Sequence, residues 1–197
     1  VANSNNITPF ITKWEGGLSR NPADSASANP APWPYKGVTG WHTNKGVTYS
    51  TFVSLAPLLK YQATPDNFFI MPNEIWNKIF KRGYWDSWHL DKLNSQSIAD
   101  LIADFAWGSG IAGSFNSIKK YLATKGYSVK NTFEAVEALN KITVINGKEI
   151  FLELVKWREN FFKGLNQPAF TTGWLNRLND LKNLGLQTIQ KKKLDQS

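Results

Sequence analysis

Cysteine is absent from the 197 residues. Its absence excludes a disulfide framework, a thiolate zinc site and a cysteine-nucleophile hydrolase together. Histidine is nearly absent: His42 and His89 stand far apart, and no HExxH occurs. A zinc peptidase or amidase would need an unusual ligand set, and no metal or other cofactor is expected. Neither a Gly-rich phosphate loop nor a G-x-S-x-G nucleophile elbow is present. Long apolar runs are missing too, and none approaches the roughly 20 residues that span a bilayer. The opening "VANSNN" has no basic region and no apolar stretch, so no signal peptide is expected in this chain. Arginine is scarce, supplying only Arg20, Arg82, Arg158 and Arg177 of the 23 basic residues. Since Arg reads base edges bidentately, nucleic acid is not the expected partner.

What is present is a Lys-rich surface and much aromatic side chain. The formal charge of +8 and pI of about 9.6 call for an anionic partner or environment, and bacterial wall is one. Hydrophobic residues make up 42% and aromatics 14%, with nine Trp, which is ample for the core of one domain or of two lobes packed as one monomeric unit.

The spacing predicts a mainly α chain. Ile7, Phe10, Ile11 and Trp14 recur at i, i+3, i+4 and i+7, with Asn5 or Asn6 as N-cap and Gly16-Gly17 as the stop. From Leu18 to Val47 no helical period appears. "NPAPWPY" cannot be helix interior, and "KGVTGW" and "KGVTYS" read as short extended pieces of a long loop or small ribbon. Ser50 is positioned to cap a helix carrying Phe52 to Leu59, with Pro57 as a bend. Further helices are expected at Pro72 to Gly83, Ile98 to Phe105, Ser114 to Gly126, Thr132 to Asn140, Ile150 to Gly164 and Gly173 to Lys193. Trp107 to Gly110 reads as a helix terminus.

Glu15 carries the chemistry. Backbone carbonyls at a helix C-terminus disfavour an ionised carboxylate, which suits an acid that must keep its proton. Asp24, nine residues on in a loop, is free to stay ionised. One carboxyl kept protonated beside one kept ionised is what glycoside hydrolysis needs, and their separation decides retention or inversion. Trp33, Tyr35 and Trp41 are candidates for a sugar-stacking platform, or equally anchors of the loop. Trp85 and Trp88 read as core. Asp104, inside an apolar helix, needs a partner, and Arg158 reads as half of a structural ion pair. Asp86 and Glu74 are reserve carboxylates.

The segments "WEGGLSRNPAD", "TNKGVTYSTF", "RGYWDSWHLDKL", "IADLIADFAWGSG" and "WRENFFKGL…GWLNRL" follow one another here as in glycoside hydrolase family 108, which the chain resembles over roughly Ile7 to Leu184. The resemblance implies a lysozyme-like helical fold of the phage-muramidase type, cleaving the β-1,4 glycan of peptidoglycan, with a peptidoglycan-binding C-terminal half. It implies a catalytic lobe over residues 1–92 and a wall-binding helical lobe over 93–197. Glu15 matches the family's catalytic glutamate. By similarity to phage lysozymes, Asp24 would position water and Thr48 would help hold it, giving inversion. Asn44 and Trp107, in the matching segments, are further candidates for sugar contact. The family usually joins the aspartate to the Thr-Asn segment by a very short link, whereas Ser25 to His42 intervenes here. An inactive wall-binding module and a lytic transglycosylase, which needs no catalytic water, are the alternatives.

Overall fold

The computed structural model describes residues 1–19 and 43–195 in full, and of the intervening segment only the backbone of 34–35 and 38–39. The fold is mainly α, with small antiparallel ladders after the first helix. Contacts divide the chain into two compact units: Thr8–Gly83, and Val1–Ile7 together with Tyr84–Ser197. No helix among the described residues is long and apolar enough to cross a membrane.

The Thr8–Gly83 unit begins with α1 (Thr8–Trp14). Asn5 and Asn6 lie in a 3-10 turn before it that Asn3 caps, its Oδ1 accepting the Asn5 N–H at 2.9 Å. Five two-residue strands follow: β1 (Leu18–Ser19), β2 (Pro34–Tyr35), β3 (Val38–Thr39), β4 (Thr43–Asn44) and β5 (Val47–Thr48). β1, β4 and β5 form one sheet in that order, and β2 pairs with β3. Both "GVT" pieces are therefore strands. The β4–β5 turn places Lys45 (φ 49°) and Gly46 (φ 78°) in the left-handed region, as a two-residue hairpin of type I′ requires.

α2 (Tyr49–Leu55), α3 (Pro65–Ile70) and α4 (Asn73–Phe80) complete the unit. Thr48, not Ser50, caps α2, because the strand ends there and its hydroxyl meets the Thr51 N–H at 3.1 Å. Three side chains pin the hairpin turn to α3 and α4. Asn44 Nδ2 donates to the Phe68 and Phe69 carbonyls (2.7 and 3.2 Å), Lys45 Nζ donates to the Met71 carbonyl (2.9 Å), and the Trp76 indole donates to the Lys45 carbonyl (2.8 Å). Beneath lie Ile11, Val47, Phe52, Phe68, Trp76 and Phe80, all buried.

The second unit is built on three long helices that pack pairwise: α5 (Gln96–Thr124), α6 (Thr132–Gly164) and α7 (Pro168–Leu194). Gly110 (φ 73°, ψ 168°) breaks α5 where the Trp107 to Gly110 terminus was expected, but the helix resumes. Asn146 likewise kinks α6, so the expected helices Thr132 to Asn140 and Ile150 to Gly164 belong to one element. Trp85 and Trp88 are core.

Asp104 is fully buried, between Arg158 Nη1 (2.7 Å) and Arg177 Nη2 (2.6 Å). Burial pushes its carboxyl up, but the two guanidinium groups outweigh that and hold it below the ordinary carboxylate value. The Arg158 guanidinium is itself sandwiched between the Phe105 and Phe162 rings, 5.0 Å from each centroid. One turn earlier, Asp100 has no guanidinium. Burial pushes its carboxyl up to about 7, against the opposing hydrogen bond from Gln96 (2.6 Å) and with a further push from the Asp104 charge. Gln96 also exchanges hydrogen bonds with the Asn3 backbone, which ties the N-terminal residues to α5.

Candidate active site

Glu15 follows the last residue of α1 directly. Its N–H still reaches the Ile11 carbonyl (3.1 Å), so its backbone is set by the helix while its half-buried side chain lies beyond the last turn. Phe10 and Ile11, both buried, anchor that turn. On the other side the chain is fixed by the sheet. The Gly17 carbonyl accepts the Lys45 N–H (3.2 Å), and Leu18 and Ser19 pair with Asn44 and Thr43. The catalytic candidate is therefore held between a helix end and a clamped hairpin.

Gly16 and Gly17 bridge these two anchors. Neither has positive φ, and a Cβ on either would meet nothing within 4 Å. Backbone geometry and packing leave both positions open to a side chain. The exposed surface beside Glu15 is correspondingly bare, as close approach by a ligand requires.

Strand alternation sorts the sheet's side chains. Asn44 and Val47 are buried, in the row that begins with Leu18. Ser19, Thr43 and Thr48 form the other row, half-buried on the opposite face. The Thr48 hydroxyl accepts from the Thr51 N–H and donates to Thr51 Oγ1 (2.9 Å). Thr43 Oγ1, on the paired residue, is shielded from solvent and has no hydrogen-bond partner among the described residues. Buried hydroxyls rarely go unsatisfied, which sets this atom apart from the engaged Thr48 hydroxyl. Nothing in the sequence pattern singles out Thr43, because a threonine in a strand is ordinary β-former chemistry.

Asn44 faces the interior, and its amide serves the junction between hairpin and α3. Asp24, Trp33 and Trp41, with His42, lie outside the described residues, and of Tyr35 only the backbone pairing with Val38 is described. Trp107 belongs to the other unit, where its half-buried ring meets Tyr84 edge-on at 4.8 Å. Glu74 pairs with Lys78 on α4.

The family model of glycosyl hydrolase 108 matches residues 8–110, just over half of the chain. The protein is thus a glycoside hydrolase, with cell-wall peptidoglycan as its substrate class. It belongs to glycoside hydrolase family 108. No curated protein matches the chain. Among solved structures, that of Brucella abortus SagA is similar in fold, with a TM-score of 0.63 at 21% identity over 94% of each chain.

Proposed function

We propose that the protein is an N-acetylmuramidase that cleaves the β-1,4 bond between N-acetylmuramic acid and N-acetylglucosamine by general acid catalysis with inversion. Glu15 donates its proton to the glycosidic oxygen as the bond to the anomeric carbon breaks. A water on the opposite face of the sugar, deprotonated by Asp24, attacks that carbon, and the proton passes to the Asp24 carboxylate. Thr48 and Thr43, on one sheet face, supply hydroxyl contacts to this water. Trp33, Tyr35, Trp41 and Trp107 offer aromatic faces for sugar rings. In this reading residues 1–92 carry catalysis and residues 93–197 bind the wall, and the protein acts as a monomer.

The observation that carries the reading is the double anchoring of Glu15, by the α1 backbone on one side and the hairpin on the other. A proton donor needs that fixity, because small misplacements of a reacting group cost large factors in rate. Wall digestion followed by borohydride reduction tests the bond: reduced muramic acid ends are expected. New N-acetylglucosamine ends would reassign the enzyme as a glucosaminidase, anhydro-muramic ends as a transglycosylase. Co-sedimentation with walls that are never cut would leave a binding module.

A further inference from the structure

Ile142, Thr143, Val144 and Ile145 put four β-branched residues in a row within α6, just before its kink at Asn146. A helix turns its side chains to all sides, so such a run buries only part of itself. Ile142 and Thr143 are half-buried. Val144 and Ile145 are 78% and 89% exposed, the most exposed large apolar side chains in any described helix. A lone exposed valine needs no explanation, but two adjacent apolar side chains at the edge of a groove do.

The groove, of about 520 Å3, lies where this stretch of α6 meets the start of α5 and the end of α7. Val144, Ile145 and Ile189 supply apolar lining, and Lys148, Lys192 and Lys193 supply charge. None of these three ammonium groups has an ion pair or hydrogen bond among the described residues. Glu149 is the one carboxylate in the described lining. Lys141, exposed and one turn before Ile145 on α6, adds a fourth cation beside the apolar pair.

A hydrated anionic polymer would neutralise the lysines and leave Val144 and Ile145 in water. A bilayer surface offers both phases a few ångströms apart: phosphate at the headgroup level and hydrocarbon beneath it. Lysine stems lie along such a boundary while their ammonium groups stay among the phosphates. Each lysine beside an anionic leaflet strengthens attachment about fivefold. The contact is on the surface alone, since no described helix is long and apolar enough to cross.

We propose that this corner of the helical unit docks on the surface of an anionic phospholipid bilayer. Val144 and Ile145 enter the boundary between headgroups and acyl chains. A headgroup phosphate sits in the groove against Lys148, Lys192 and Lys193. The docking makes no use of Glu15 and is independent of which glycan bond the enzyme cleaves.

The full chain is sedimented with vesicles of phosphatidylglycerol and phosphatidylcholine in equal parts, and with vesicles of phosphatidylcholine alone. Binding is expected to the first and not to the second. Val144→Ser/Ile145→Ser is expected to weaken it at least about tenfold, from the loss of buried apolar surface. Lys192→Gln/Lys193→Gln is expected to weaken it roughly twenty-five-fold, about fivefold per lysine. Lys60→Gln/Lys130→Gln removes the same charge elsewhere and is expected to bind like the parent. All these positions are exposed, so melting curves are expected to match. Since the chain has no cysteine, Ile145→Cys carries a single polarity-sensitive fluorophore. Its emission is expected to shift to the blue on the anionic vesicles and to be quenched by spin-labelled acyl chains, while the same label at Lys60→Cys stays unchanged. Failure to bind anionic vesicles, a serine variant that binds like the parent, or a label at 145 that never meets the acyl chains overturns the proposal. An equal loss in the Lys60/Lys130 variant overturns it too, by assigning the binding to the charge of the whole chain. Purified walls are run beside the vesicles: a corner that holds walls through its lysines, with the label unshifted by lipid, serves the anionic wall instead.

Discussion

Thr43 and Thr48 are partners across the β4–β5 ladder, and only the Thr48 hydroxyl has partners among the described residues. Thr48 thus has a structural job, capping α2, in addition to the water contact proposed for both threonines. Thr48→Val removes a helix cap and is expected to cost about 1 kcal/mol, or roughly 2–4 °C in Tm for a chain of this size. Thr43→Val removes an unsatisfied buried hydroxyl, so its Tm is expected to hold or rise slightly. If Thr43 holds the catalytic water, its wall-lysis rate falls about tenfold, the loss of roughly 1.4 kcal/mol in the transition state. Melting curves beside turbidity assays separate the two, and wild-type lysis by Thr43→Val removes Thr43 from the mechanism.

Asp104 pairs with both Arg158 and Arg177 inside the helical unit. Asp104→Asn leaves the Arg158 guanidinium buried and uncompensated, and a loss of about 3–5 kcal/mol is expected in urea unfolding. Arg177→Met, which leaves the Asp104–Arg158 pair intact, is expected to cost less. Equal losses for the two variants would contradict the central role of Asp104.

Asp100 makes stability depend on pH in the opposite sense to Asp104. Its folded carboxyl titrates at about 7, above the roughly 3.9 of an unfolded aspartate. Between those pH values the folded chain holds a proton that the unfolded chain has released, so this group's contribution falls as pH rises from about 4 to 7. Asp100→Asn is expected to match the wild type near pH 4 and to exceed it at pH 8 by about 1 kcal/mol or more, some 2–4 °C in Tm. A constant offset between the two Tm–pH curves would contradict this.

Gly185 lies on α7 against the Phe151 ring of α6, where an added Cβ would sit 2.2 Å from Cζ. Gly185→Ala is expected to destabilise by about 1–3 kcal/mol through overpacking, despite alanine's better helix propensity. Phe151→Leu in the same chain is expected to recover part of that loss, which a double-mutant cycle measures.

Much of this arrangement is legible in the residues alone. The apolar spacing of α1 and α4 marked both helices, because each buries one stripe. The two "GVT" repeats marked strands, since β-branched pairs bounded by glycine fit a ladder and not a helix. α3 escaped notice because six residues behind a proline are too short to show a period. At the α6 kink the sequence pattern shows a gap, since Asn146 and Gly147 signal a stop that tertiary packing overrides here. Asp104 was expected to have a partner and Arg158 to make an ion pair. That they meet across 54 positions depends on how α5 and α6 pack, which local pattern does not encode. Thr43 was hidden for a similar reason: an unsatisfied hydroxyl is a property of the folded sheet, not of the residue type.

The central claim is that Glu15 supplies the proton for hydrolysis at muramic acid. Mass spectrometry of fragments released from purified walls, by the wild type and by Glu15→Gln, tests it most directly. The account predicts reducing muramic ends from the wild type, and release by Glu15→Gln reduced by at least about a hundredfold, the effect expected for loss of a general acid. Full release by Glu15→Gln, or wild-type fragments ending in anything other than reducing muramic acid, would contradict it.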